Sequence, residues 1–182
     1  RVLLQQLGGG TMLTDQTLTK LTDMKLNGMA SAYEQQRRDA SITELDFDER
    51  FGMLVDHEWL DQQNRALTRR LKYAGLKQNA SLEDIDWRAD RGLKRSVIDQ
   101  LSSSQWVRYG QNCIITGATG LGKSWLACAL AQKACRDGFR AFYSYAPRLF
   151  RELLAAEADG SFTRLVRKLT RIDLLIIDDW GL

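Results

Sequence analysis

The protein has 182 residues, enough for one domain or two small ones with a genuine core. Hydrophobic residues make up 44% and charged residues 27%, which excludes a largely disordered or fibrous chain. With 26 Lys plus Arg against 23 Asp plus Glu the net charge is +3, too little to mark a nucleic-acid or membrane protein, so any basic surface must come from local clustering.

Residues 1–11, with three consecutive glycines ahead of Met12, read as an upstream extension or tail. They are too short and too polar for a secretory signal. From Thr14 the pattern is helical. Leu18 and Leu21 lie three apart, and Thr14 or Thr17 is placed to cap a first turn. Asn27-Gly28 breaks the pattern, and a second helix is predicted through Tyr33 to Arg38. Phe47, Phe51, Leu54, Val55, Leu67 and Leu71 continue at helical spacing. Ser81-Leu-Glu-Asp84 has the form of a capping box. Leu93, Val97 and Leu101 fit a final helix, so residues 12–101 are expected to form a helical domain.

The texture changes at Ser102-Ser-Ser104, which reads as a linker. Residues 112–116 are a predicted buried strand, followed by a Gly-rich turn and a helix that Asp137-Gly138 ends. Residues 140–144 are a second strand, Pro147 suits the first turn of the next helix, and a further helix covers residues 162–170. Residues 173–177, apolar on both faces, are a third strand of parallel type. Alternating strands and helices imply an α/β domain with a parallel sheet over residues 102–182. Such a sheet ordinarily has more strands, so the sequence reads as a piece of a longer protein.

Gly117-Ala118-Thr119-Gly120-Leu121-Gly122-Lys123-Ser124 matches G-x-x-x-x-G-K-[ST] in full, between a predicted strand and a predicted helix. The glycines let backbone N–H groups approach phosphates, and the helix N-terminus adds positive charge. Lys123 is the candidate ligand of the β- and γ-phosphates, and the Ser124 hydroxyl a candidate Mg²⁺ ligand. Four apolar residues then run into Asp178-Asp179. Behind a phosphate loop, the first acid suits Mg²⁺ and the second suits orientation of the attacking water. Asp178-Asp-Trp-Gly181 also spells D-x-x-G, a GTPase signature, although N-K-x-D does not occur in the chain.

Arg65, Arg69, Arg70, Lys72 and Lys77 lie in a stretch without acids. Arg88, Arg91, Lys94 and Arg95 form a second basic group, and Arg164, Arg167, Lys168 and Arg171 a third. Residues 44–61, by contrast, hold seven acids and one Arg. This segregation allows a DNA-facing surface despite the small net charge, beside the plainer reading of solvated helix faces. Trp106 and Tyr109 precede the phosphate loop, where either core packing or stacking on a base is open. Cys113, Cys128 and Cys135 contain no C-x-x-C pair, supporting neither a disulfide framework nor a zinc site, and read as small buried hydrophobes. The single His57 reads as a helix-surface residue. No uncharged apolar run reaches the ~18 residues of a membrane span. A soluble, reduced, cytoplasmic protein is expected.

The run from Asn112 through the phosphate loop to Leu130 resembles the IstB family, AAA+ ATPase helpers of insertion-sequence transposition related to the DnaC helicase loaders. Ala134-Cys-Arg-Asp-Gly138, Pro147-Arg-Leu-Phe150, Leu174-Leu-Ile-Ile-Asp-Asp-Trp-Gly181 and the leader Leu26-Asn-Gly-Met-Ala30 continue the similarity. The resemblance implies an N-terminal helical domain followed by a partial P-loop NTPase of three-layer αβα type. It implies ATP and Mg²⁺ as cofactors, ATP-dependent assembly on DNA as a homo-oligomer, and activation of a transposase encoded by the same element. Asp179 stands where most AAA+ proteins carry Glu, one methylene longer. The sensor residue, the arginine finger and the last strands of that fold have no position here, so the chain by itself is expected not to turn ATP over. One such strand lies between the phosphate-loop strand and the Asp178 strand. Without it, those two either leave a gap or pair in another order. A helicase loader and a non-hydrolysing, nucleotide-gated DNA-binding module are the alternatives.

Overall fold

The structure, a computed structural model, describes residues 9–88 and 92–180. The elements run α1 (Gly9–Asp23), α2 (Asn27–Arg38), a 3-10 turn (Ala40–Glu44), α3 (Phe47–Ala74), a second 3-10 turn (Leu82–Asp84), α4 (Arg95–Ser102), α5 (Gln105–Arg108), α6 (Lys123–Arg136), β1 (Ala141–Tyr145), α7 (Ala146–Ala158), α8 (Phe162–Leu169) and β2 (Leu174–Asp178). The chain divides into two compact units between Ala66 and Leu67. Composition placed a boundary at 101/102. The compact second unit begins earlier because Leu67, Leu71 and Ala74, at the end of α3, pack with Ala131, Cys135 and Ala141.

In the first unit, α1 begins at Gly9, so Thr14 and Thr17 lie inside the helix rather than at its cap. Thr17 donates its hydroxyl back to Leu13 O, the local bond expected of a mid-helix threonine. Gly28 is where α2 meets α3. A Cβ there would stand 2.7 Å from His57 O and 2.8 Å from Asp61 Cβ, so only glycine permits the approach. Glu58, 5% exposed, anchors the same contact. It accepts from Met29 N at 3.1 Å, Gln62 Nε2 at 2.9 Å and Arg65 at 3.2 Å. Burial opposes its charge, but these donors outweigh burial and hold its carboxyl below the usual range. Asp46 and Glu49 cap the start of α3 reciprocally, Glu49 N donating to Asp46 Oδ1 at 2.8 Å and Asp46 N to Glu49 Oε2 at 3.3 Å.

In the second unit, α6 is the hub. Its buried residues are mostly small: Cys128, Ala129, Ala131, Ala134 and Cys135, with Leu126 and Leu130 beside them. Small side chains let α6 lie close to the sheet and to the end of α3. The sheet has two strands, β1 and β2, paired in parallel with Tyr143 opposite Ile176 and Tyr145 opposite Asp178. Both lie one residue along from the strands predicted over 140–144 and 173–177. Residues 112–116, predicted as a strand, form none: among the described residues they pair with neither β1 nor β2, and Ile114 is 85% exposed. Neither arrangement foreseen for this strand and the Asp178 strand is seen, because residues 112–116 form no strand and the Asp178 strand pairs with β1.

Local chemistry accounts for the remaining differences. Ser104 is 2% exposed, has a left-handed backbone (φ 53°) and donates to Asp137 Oδ2 at 2.7 Å. Residues 102–104 are therefore a pinned corner between α4 and α5, not a linker. Ser81 does not cap the turn that follows it. Its hydroxyl donates to Glu83, whose carboxylate also takes Arg136 at 2.7 and 3.0 Å. Trp106 packs against the Ile98 and Leu126 cluster and donates Nε1–H to Leu101 O at 2.9 Å, which makes it a core residue. Cys128 and Cys135 are buried as expected, but Cys113 is exposed because its segment has no sheet neighbour.

Candidate nucleotide-binding site

The phosphate-loop sequence forms a turn that opens α6. Gly120 and Gly122 have φ of 86° and 88°, backbone that a Cβ would strain, and Gly122 is the N-cap of α6. Gly117, Ala118, Thr119, Gly120 and Leu121 are exposed, whereas Gly122, Lys123 and Ser124 are half-buried. The first N–H groups of α6 have no intrahelical acceptor and point out of the helix end, as anion binding requires. Lys123 Nζ donates to Gly117 O at 2.8 Å and Ala118 O at 2.9 Å, so the ammonium spans the loop.

Ser124 joins this turn to the end of β2. Its hydroxyl donates to Asp178 Oδ1 at 3.0 Å across 54 residues of sequence. Asp179 N donates to the same oxygen at 3.0 Å. The other oxygen, Oδ2, accepts the Tyr143 hydroxyl and lies 3.6 Å from Lys77 Nζ. Burial opposes the Asp178 charge, but the hydrogen bonds from Tyr143 and Ser124 prevail and hold its carboxyl below the usual range. Burial, together with that same hydrogen bond, pushes the Tyr143 phenol well up, so it stays a proton donor.

Asp179 has a left-handed backbone (φ 58°), uncommon outside glycine. Consecutive strand residues ordinarily face opposite ways. The left-handed turn brings the second carboxylate round to the Tyr145 hydroxyl, which donates to Asp179 Oδ2 at 2.5 Å. The next residue, Trp180, lies edge-on to Phe150 of α7 with ring centroids 5.4 Å apart. Gly181, which completes the D-x-x-G reading, lies outside the described residues.

The donor set suits a hard cation. A serine that donates its proton to Asp178 keeps its oxygen lone pairs free for a metal. Among the described residues no group of three or more His, Cys, Asp or Glu is placed to hold a metal ion. Any Mg²⁺ here would therefore need phosphate and water oxygens beside Ser124 and Asp178.

Comparison with known proteins decides the family. Residues 19–182 match the family described as IstB-like ATP binding protein. The chain belongs to this family. A relative, the ATP-binding protein of insertion sequence IS1162 from Pseudomonas fluorescens, is 45% identical over 94% of this chain and 74% of its own length. An insertion-sequence ATP-binding protein of Sinorhizobium fredii is 43% identical over 94% of this chain and 70% of its own. The IS21 ATP-binding protein of Pseudomonas aeruginosa is 30% identical over 88% of this chain and 61% of its own.

Sequence reasoning missed three groups at this site: Tyr143, Tyr145 and Lys77. No motif marks them. The only available signal was that Tyr143 and Tyr145 alternate on a strand destined to lie beside the Asp178 strand.

The basic groups separate once their partners are known. Arg65 is engaged by Glu58 and by Asp61, at 2.9 Å, and Arg70 donates to Cys135 O at 2.8 Å. Those two side chains are bound within the fold rather than displayed. Arg164, Arg167, Lys168 and Arg171 are all exposed, with Lys168 Nζ 5.2 Å from the Phe142 ring centre. Arg91 lies outside the described residues. No helix among the described residues is long and apolar enough to cross a membrane.

Proposed function

We propose that the protein is an ATP-dependent helper of DNA transposition, which binds and hydrolyses ATP, assembles on DNA as a homo-oligomer and activates the transposase of its own element. The observation that carries the nucleotide chemistry is the Ser124–Asp178 hydrogen bond, 3.0 Å long, because it joins the phosphate-loop helix to the acidic strand end. In this reading Lys123 exchanges its bonds to Gly117 O and Ala118 O for phosphate oxygens. The N–H groups of residues 117–124 receive the phosphate chain, and Ser124 and Asp178 hold Mg²⁺. The metal, when bound, supplies positive charge to the phosphate oxygens. Asp179 releases Tyr145 and orients the attacking water. The family and the insertion-sequence names of the relatives support the transposition role.

Nucleotide work falls to residues 102–182 in this proposal, and the helical leader over residues 12–101 contributes contacts with DNA or the transposase. Arg69 and the group Arg164, Arg167, Lys168 and Arg171 are the phosphate contacts we favour, since Arg65 and Arg70 are engaged internally. Neutralising Arg167 and Arg171 together should weaken binding to all DNA sequences alike and lower the log–log salt slope by about one unit per lost contact. An unaltered slope removes Arg167 and Arg171 from the interface.

One observation favours a non-hydrolysing, nucleotide-gated module instead: the Asp179 carboxylate is already engaged by Tyr145. Single-turnover hydrolysis by the full-length protein separates the two readings. Release of phosphate upholds the ATPase, and nucleotide-dependent DNA binding without phosphate release upholds the gated module.

A further inference from the structure

Asp178 presents two oxygens, and the fold treats them differently. Oδ1 takes the Ser124 hydroxyl and the Asp179 amide. Oδ2 takes the Tyr143 hydroxyl and faces Lys77. The strand register explains why a tyrosine is needed. Tyr143 stands opposite Ile176, two residues short of Asp178. Two residues of strand span about 6.6 Å, a gap that a rigid aromatic side chain ending in a hydroxyl bridges and a serine or threonine does not.

We propose that Tyr143 is the positioning residue for the metal-facing carboxylate, its hydroxyl locking Asp178 in the orientation that turns Oδ1 to Ser124. This rests on the nucleotide-site reading above. The terminal torsion of an aspartate is broad and nearly two-fold, so the carboxylate needs a partner on its far oxygen to stay put. Lys77 is poorly suited to that task, because its side chain is 56% exposed and the ion pair is long at 3.6 Å. Tyr143 is half-buried, with its ring against the Ala80, Cys128 and Ala129 cluster, and cannot swing away. Holding Oδ2 keeps Oδ1 as acceptor for Ser124. The serine proton is then committed to Asp178, and the serine lone pairs stay available to a cation. Tyr143 thereby acts on the metal through two other side chains without touching it. Tyr145 differs, since its hydroxyl goes to Asp179 and not to this pair.

The test uses the full-length protein loaded with ADP and titrated with Mn²⁺, free Mn²⁺ being read by electron paramagnetic resonance. Tyr143→Phe keeps the ring and removes only the hydroxyl. It should weaken Mn²⁺ binding about tenfold, the usual effect of losing a group that orients a metal ligand. ADP affinity in EDTA and the melting temperature should stay close to the parent's, which a purely structural role for the hydroxyl would not permit. Mn²⁺ affinity unchanged in Tyr143→Phe but abolished in Asp178→Asn overturns the role of Tyr143 and leaves the site intact. Mn²⁺ affinity unchanged in Asp178→Asn as well overturns the site and the proposal together.

Discussion

The phosphate-loop turn and the acidic end of β2 (Leu174–Asp178) face one another across the Ser124–Asp178 bond, yet they are held in opposite ways. The turn is wired to itself: Lys123 folds back onto Gly117 O and Ala118 O, and glycine backbone sets its shape. The acid end is wired to its surroundings, with donors from α6, from β1 and from Lys77 converging on Asp178 and Asp179. A self-contained turn can be carried by a contiguous motif. A carboxylate pair held by distant donors depends on the tertiary fold. Substitutions in the turn should therefore act on nucleotide binding itself, and substitutions around the acids should act on metal use and rate.

The largest effect should come from Asp179→Asn, which keeps shape and loses the charge that orients water. Hydrolysis by the full-length protein should fall about 10²–10⁴-fold, while ATP affinity changes less than about twofold. Hydrolysis at the parental rate would show that the acid end does not perform the chemistry. Lys123→Ala comes next. Charge-assisted hydrogen bonds are worth about 1.5–3 kcal/mol, so fluorescent-ATP titration should show affinity reduced at least about tenfold. Unchanged affinity would break the assignment of the turn.

A third substitution lies outside both regions. Gly28→Ala forces a Cβ against His57 O and Asp61 Cβ and should cost about 1–3 kcal/mol of stability by overpacking. The loss is read as a lower urea midpoint for unfolding of the first unit, with Mg²⁺-ATP affinity preserved in the folded protein. A loss of nucleotide affinity at constant folding would blur the division between site and scaffold.

The smallest effect concerns pH. Hydrogen bonds from Ser81 and Arg136 hold the Glu83 carboxyl at about 2, against an ordinary value of 4.5. A lowered folded-state value means that the stabilisation is present above 4.5 and is lost as pH falls toward 2. Glu83 is 61% exposed, so the contribution is a few tenths of a kcal/mol and shrinks in salt. Melting curves of Glu83→Gln and the parent should differ slightly at neutral pH and converge in acid. A gap that widens in acid would reverse the sign argued here.

The same contrast explains what could be read from the residues alone. The turn, α6 and both paired strands are local: motif, periodicity and apolar runs place them within a residue or so. The strand predicted over residues 112–116 needs a neighbour, and its apolar sequence cannot supply one. Ser104 looked like linker chemistry until Asp137, 33 residues on, met it with a carboxylate. Arg65 and Arg70 looked like phosphate ligands until Glu58, Asp61 and the Cys135 carbonyl engaged them. In each case the deciding partner is remote in sequence, so composition and spacing carry no trace of it.

If the Gly117–Ser124 turn and Asp178 form one Mg²⁺-nucleotide site, ATP affinity must depend on Mg²⁺ through Ser124. Calorimetric titration of ATP into the full-length protein, with Mg²⁺ and with EDTA, addresses it most directly. The parent should bind ATP more tightly with Mg²⁺. Ser124→Ala should lose most of that gain while binding ATP normally in EDTA. Equal parental affinity in the two buffers, or a Ser124→Ala variant that keeps the full Mg²⁺ gain, would contradict it.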